Sequence, residues 1–178
     1  MGCDIDFAID SFRSICLGKG RGKHIRIPLG TLGELNLIDE SYNANPTAMR
    51  AAFASFGLKK LNNGGRRIAI LGDMLELGPS SPLLHANLID DLIASKPDIV
   101  VTVGSLMKNL HDKIPLDITR MHANNSCDVA KKIPQNLRVG DLVLVKGSLG
   151  TNMAPIITAI ENMGLKSDLL VESHEMRG

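Results

Sequence analysis

The chain has 178 residues, with 20 Lys plus Arg against 19 Asp plus Glu and a formal net charge of +1. This balance excludes binding to nucleic acid or to an anionic membrane driven by overall charge. Hydrophobic residues at 44% and charged residues at 22% describe a globular domain with a packed core, and aromatics at 3%, with one Tyr and no Trp, make that core aliphatic and exclude base-stacking platforms.

In chain order, residues 4–17 place Ile5, Ala8, Ile9, Phe12 and Ile15 on one stripe of an amphipathic helix that Gly18 ends. Gly18-Lys19-Gly20-Arg21-Gly22 reads as a basic loop. Two β-like runs follow, 24–29 and 34–38, separated by Gly30 and Gly33 as a hairpin or a linker. Asn45-Pro46 reads as an N-cap with Pro at the first helical position, opening a helix with Ala48, Met49, Ala52, Phe53 and Phe56 on its apolar side and Gly57 as its stop. A regular alternation follows: strand 67–71, helix 81–94, strand 99–103, helix 105–111, strand 119–122, helix 125–133, strand 141–145 and helix 152–162.

Runs such as Ile68-Ala69-Ile70-Leu71 and Leu142-Val143-Leu144-Val145 are apolar at every position, which requires burial on both faces. The expected fold class is therefore α/β, a Rossmann-like open and mostly parallel sheet with helices on both faces. It spans residues 35–164; residues 1–34 read as the end of something else, and 165–178 as a polar tail that frays.

Cys3, Cys16 and Cys127 form no paired spacing, which fits a reducing cytoplasm. No apolar run approaches the roughly 20 residues of a membrane span, and the acidic start carries no export signal. The histidines, His24, His85, His111, His122 and His174, are scattered without metal-ligand spacing, so no metal site is expected. The phosphate-loop pattern GxxxxGK[ST] and the nucleophile elbow GxSxG are both absent from the sequence.

Ligands of open parallel sheets bind beyond the carboxyl ends of the strands, which singles out four loops. In Asp39-Glu40-Ser41-Tyr42-Asn43-Ala44-Asn45-Pro46 the helix N-terminus favours an anion and Asp39 can accept from ribose hydroxyls; alternatively this is a capping loop with Asn45 as cap. In Leu71-Gly72-Asp73-Met74-Leu75-Glu76-Leu77-Gly78, Asp73 and Glu76 can bind an ammonium group, or they are solvated acids in a turn. Val103-Gly104-Ser105 reads as a plain turn. In Lys146-Gly147-Ser148-Leu149-Gly150, Lys146 can hold a carboxylate or phosphate with Ser148 as a further donor, or it can serve a structural ion pair.

Taken together, the segments 39–46, 71–78 and 145–148 resemble, in order and spacing, the C-terminal domain of the Mur ligases of bacterial peptidoglycan synthesis. Within that family they look most like the branch that adds D-Ala-D-Ala. The resemblance covers about residues 18–164, and Gly20-Arg21-Gly22 resembles the glycine-arginine element that ends the family's central domain. It implies a three-domain enzyme that phosphorylates the carboxylate of UDP-MurNAc-tripeptide with ATP and joins it to the amine of D-Ala-D-Ala. ATP and Mg would sit mainly on the central domain, which together with the N-terminal domain is expected to be missing from this chain, and residues 1–34 would be the remnant of the central ATPase domain and a linker. Carried onto this sequence, Arg21 meets ATP phosphate, and Asp39, Tyr42, Asn43 and Asn45 line the nucleotide. Asp73, Met74, Glu76, Lys146 and Ser148 lie toward the dipeptide and the acyl phosphate. Leu149 stands where the family often has Arg.

The resemblance implies that the chain is inactive alone. Two other classes remain: a non-catalytic binding module, and a small NAD-dependent oxidoreductase, which would need a GxGxxG fingerprint where the sequence has Asn43-Ala44-Asn45-Pro46.

Overall fold

The computed structural model describes residues 20–61 and 64–175, with side chains as far as Leu165. The helix expected over 4–17 lies outside the described residues, as do Cys3 and Cys16. Six strands form one sheet: β1 (Lys23–Pro28), β2 (Glu34–Glu40), β3 (Arg67–Gly72), β4 (Ile99–Val103), β5 (Thr119–Ala123) and β6 (Leu142–Lys146), in the spatial order β1-β2-β6-β3-β4-β5. Only β1, paired with β2, runs antiparallel; the other pairings are parallel. The described helices are α1 (Pro46–Leu58), α2 (Ser81–Ala86), α3 (Ile89–Ala94), α4 (Lys108–His111), α5 (Ser126–Lys132) and α6 (Ala154–Glu175).

The pleat of the apolar strands builds the two layers. Along β3, Ala69 and Leu71 face a cluster with Met49, Phe53 and Phe56 of α1, Leu92 of α3 and Leu110 of α4. Ile68 and Ile70 face the opposite cluster with Val129 of α5 and Ile156 and Ile160 of α6. Phe53 and Phe56 are fully buried, and each contributes roughly 2 kcal/mol of burial against an exposed reference. The sheet is thus the open, mostly parallel α/β sheet, covered on both faces, that the sequence predicts.

α1 starts as read: the Asn45 side chain accepts from the Ala48 N–H at 2.8 Å, with Pro46 at the first position. Gly57 does not stop it. A Cβ there would lie 3.0 Å from Ser95 Cα, so Gly57 lets α1 close on the segment after α3. The helix ends one residue later, where Arg67 Nη2 donates to the carbonyls of Gly57 at 3.2 Å and Lys59 at 2.8 Å.

Several boundaries differ from expectation. The single helix predicted over 81–94 is two, because the chain turns at Asn87 and Leu88 to bury Leu88. Helix 105–111 begins only at Lys108, since the Asp73 carboxylate takes the N–H groups of Leu106 and Met107. The tail expected to fray from residue 165 is helical as far as Glu175, an extension favoured by the absence of Gly and Pro from 165–175. β1 pairs along its whole length with β2, so the sheet begins ahead of residue 35. At Gly164, where α6 crosses β1, an added Cβ would lie 3.3 Å from Pro28.

β6 lies between β2 and β3, which makes the loops after β2, β3 and β6 neighbours at the carboxyl edge. Among the described residues, no helix is long and apolar enough to cross a membrane.

Candidate functional site

At the end of β2 the Asp39 carboxylate is 5% exposed. Its Oδ1 accepts from the Ser41 N–H at 3.1 Å and the Ser41 hydroxyl at 2.6 Å, and its Oδ2 accepts from the Gly20 N–H at 3.1 Å. The backbone adds Gly22 N–H to Asp39 O at 2.8 Å and Tyr42 N–H to Gly20 O at 3.1 Å. Gly20 and Gly22 have φ of 77° and 79°, and a Cβ on Gly20 would meet Tyr42 N at 2.7 Å. Only glycine allows that approach. Held between them, Arg21 lays its guanidinium over the Tyr42 ring, 4.1 Å from the centroid.

Lys146 ends β6 and is 4% exposed. Its Nζ lies 3.0 Å from Glu40 Oε2 and donates to Asn43 O at 3.0 Å. An ammonium has three donors, so these two partners leave one direction for a further acceptor. Beneath it, Gly72 and Gly147 bring the ends of β3 and β6 together: a Cβ on Gly147 would lie 3.1 Å from Gly72 Cα. Ser148 knots the three loops, its N–H donating to Asp73 O at 3.0 Å while its hydroxyl accepts from Leu75 N–H at 2.9 Å and donates to Ala44 O at 3.3 Å.

In the loop after β3, Asp73 is 7% exposed and spends its oxygens on Met107 N–H at 2.7 Å and Leu106 N–H at 3.3 Å. Met74 is fully buried, and its N–H donates to His85 Nε2 at 2.9 Å. That bond fixes the His85 tautomer, with Nδ1–H donating to Ser81 O at 2.6 Å. Glu76 is exposed, in a left-handed backbone conformation with φ of 64°, a cost of order 1 kcal/mol that a fold retains where the backbone is otherwise fixed.

Two cavities flank Tyr42. The larger, about 600 Å³, is lined among others by Arg21, Lys23, Asp39, Ser41, Tyr42 and Asn152. The smaller, about 290 Å³, is lined by Arg21, Glu40, Tyr42, Asn43 and Lys146 among others. Arg21 and Tyr42 belong to both.

The structure therefore brings together five expected residues, Arg21, Asp39, Tyr42, Asn43 and Lys146. Asn45 is the helix cap that the alternative reading foresaw. Asp73 and Ser148 are turned into the loops as braces. Met74, expected toward the dipeptide, has its side chain in the core instead, because the following loop folds over it to reach Ser148. Glu76 remains available on the surface. Not predicted were the pairing of Glu40 with Lys146 and the contribution of Lys23, Ser41 and Asn152 to the larger cavity; the hydroxyl two residues after a buried Asp was a legible signal for Ser41. Among the described residues, no group of three or more His, Cys, Asp or Glu could hold a metal ion.

Residues 27–149 match the family described as "Mur ligase, glutamate ligase domain". The UDP-N-acetylmuramoyl-tripeptide--D-alanyl-D-alanine ligase of Rickettsia prowazekii is 31% identical over 157 residues, covering 88% of this chain and 33% of the relative. The enzyme of the same name from Bacillus subtilis is 30% identical over 126 residues, covering 69% of this chain and 27% of the relative. A crystal structure of MurF from Acinetobacter baumannii superposes with a TM-score of 0.73 at 25% identity, over 90% of this chain and 34% of that one. MurF of Thermotoga maritima in complex with ADP shares the fold, with a TM-score of 0.67 at 21% identity, over 86% of this chain and 33% of that one. The chain spans about a third of the length of these relatives.

Proposed function

The chain belongs to the Mur ligase family, and from that premise we propose that it is the C-terminal part of an ATP-dependent ligase that joins D-Ala-D-Ala to UDP-MurNAc-tripeptide in the cytoplasm. On this reading residues before β1 connect to the central ATPase domain, and the chain is incomplete without its N-terminal and central partners.

One observation carries the reading: two cations from distant parts of the sequence, Arg21 and Lys146, line a single cavity at the carboxyl edge of the sheet. ATP, when bound, supplies the phosphoryl group that turns the tripeptide carboxylate into an acyl phosphate. Arg21 presents a planar set of donors to phosphate oxygens, with Tyr42 and Asn43 beside the nucleoside. Lys146, oriented by Glu40 and by Asn43 O, turns its remaining N–H toward the oxygens of the acyl phosphate, where charge grows as the dipeptide amine attacks and phosphate leaves. Glu76, exposed on the loop after β3, holds the incoming ammonium, which gives its proton to solvent water before the free amine attacks. Asp73 and Ser148 act from beneath, fixing the loops that carry these groups.

The test is Lys146→Met in the chain joined to the N-terminal and central domains of the Rickettsia prowazekii relative. Turnover dependent on D-Ala-D-Ala is expected to fall by about tenfold to a thousandfold, as for loss of one electrostatic stabiliser. Unchanged turnover with a lowered melting temperature would reduce Lys146 to a structural partner of Glu40.

A further inference from the structure

Asp39 lines the larger cavity, but most of its hydrogen-bonding capacity is spent within the fold. Its carboxylate is 5% exposed and already accepts from Gly20 N–H, Ser41 N–H and the Ser41 hydroxyl. All three donors belong to the two segments that carry Arg21 and Tyr42. Two further backbone bonds, Gly22 N–H to Asp39 O and Tyr42 N–H to Gly20 O, close the same clamp.

Between Gly20 and Gly22, both with positive φ, the Arg21 side chain leaves a backbone that cannot slide. Its guanidinium lies over the Tyr42 ring, 4.1 Å from the centroid. The attraction to the ring acts through the charge of the cation, and its planar fork of N–H donors can still make bidentate bonds to phosphate oxygens. An exposed arginine normally loses side-chain entropy when it binds an anion, and one that is already held in place loses less. The stack forms part of the wall of both cavities, and Lys23 and Ser41 line the larger one beside it.

We infer that Asp39 is a positioning residue: acting through Gly20 and Ser41, it presents Arg21, stacked on Tyr42, as a preset receptor for a polyphosphate. The ligand named here rests on the nucleotide-binding reading above; the positioning of Arg21 does not.

The chain offers a clean reporter, because Tyr42 is its only tyrosine and it has no Trp. The experiment combines proton NMR of the Arg21 side chain, which the Tyr42 ring shifts upfield while stacked, with titration by inorganic tripolyphosphate followed through Tyr42 fluorescence. Wild-type chain is expected to show the ring shift and saturable binding. Asp39→Asn removes the charge of the clamp, and Gly20→Ala leaves Asp39 intact but drives a Cβ against Tyr42 N. Both are expected to lose the ring shift and to weaken tripolyphosphate by about tenfold, a change equivalent to 1.4 kcal/mol. Ser41→Ala, which removes one bond of the clamp, gives a smaller loss and serves if either of the first two fails to fold. Folded variants that keep the ring shift, or that lose it without weakening tripolyphosphate, would overturn the positioning role. A wild-type chain that shows the ring shift but binds no tripolyphosphate would overturn the ligand, and the nucleotide reading with it, while the ring shifts of the variants still decide whether Asp39 positions Arg21.

Discussion

The two edges of the parallel sheet handle buried carboxylates in different ways. At the amino edge Asp141 is fully buried and meets Arg66, whose Nη2 lies 2.7 Å from Oδ2 and whose Nε lies 3.1 Å from Oδ1, while the N–H of Arg138 reaches Oδ2 at 2.9 Å. Here charge is cancelled by charge, and the bond to Asp141 raises the Arg66 pKa above its ordinary value. At the carboxyl edge, Asp39 and Asp73 are satisfied by backbone N–H groups and a hydroxyl. Their negative charge is used to shape loops, and the cations nearby, Arg21 and Lys146, remain beside open cavities. A buried aspartate at a strand end is therefore no sign of a ligand by itself; what separates the two edges is whether the aspartate itself takes up the local cation, as Asp141 does and Asp39 and Asp73 do not.

The largest expected effect tests the amino edge. Asp141→Ala leaves Arg66 without its partner and should cost about 3 kcal/mol, the range for breaking a buried pair, read as unfolding free energy in denaturant. A cost within experimental error would show that the paired edge is no more rigid than the open one. Next comes the brace at the carboxyl edge. Gly104 has φ of 103°, and a Cβ there would lie 2.4 Å from Asp73 Cγ. Gly104→Ala should lower stability by about 2 kcal/mol through backbone strain and displacement of Asp73, with the N–H groups of Leu106 and Met107 losing hydrogen-exchange protection. Ser148→Ala is milder: it strips the acceptor from Leu75 N–H, for about 1 kcal/mol, and hydrogen exchange should quicken in the loop after β3 while β3 itself stays protected.

The smallest effect concerns protons away from both edges. His111 and His122 both place Nδ1 near the Thr102 hydroxyl, at 3.1 and 3.0 Å. Burial first, then His122, Arg120 and Lys108, push the His111 pKa below 6.5, against a smaller opposing pull from Asp112. A histidine whose folded pKa is depressed binds fewer protons folded than unfolded, so its contribution is present above pH 6.5 and lost as pH falls through the folded pKa. Unfolding free energy measured from pH 8 downward should thus decline less steeply in His111→Gln than in the wild type. An unchanged slope would dismiss the contribution.

The apolar runs made the fold legible. Ile68 to Leu71 and Leu142 to Val145 have no polar face, so a parallel sheet between helix layers was the available solution. The position of β6 between β2 and β3 was not, because strand order is set by non-local packing that no local pattern encodes. Helix boundaries went astray where a distant side chain intervened, as Asp73 does before α4. At the candidate site, residue types pointed to loops that the strand order does bring together, since polar residues after buried strands are visible in sequence. Their directions were not. Asp73 and Met74 sit side by side in a loop beside the site, yet one caps a neighbouring turn and the other fills the core. That outcome depends on Ser148, seventy-odd residues later, drawing the loop inward. The Gly-Arg-Gly element was read as a loop, and its tethering to Asp39 required the register of β1 against β2.

The most direct test of the chain as the C-terminal third of a ligase is a mass measurement of the product. The chain, mixed with or joined to the N-terminal and central domains of the Rickettsia prowazekii relative, is incubated with ATP, Mg, UDP-MurNAc-tripeptide and D-Ala-D-Ala. The account predicts a product heavier by the dipeptide less one water, formed with release of ADP and phosphate, only when both parts are present. ADP release at the same rate without D-Ala-D-Ala, or unmodified UDP-MurNAc-tripeptide despite a folded assembly, would contradict it.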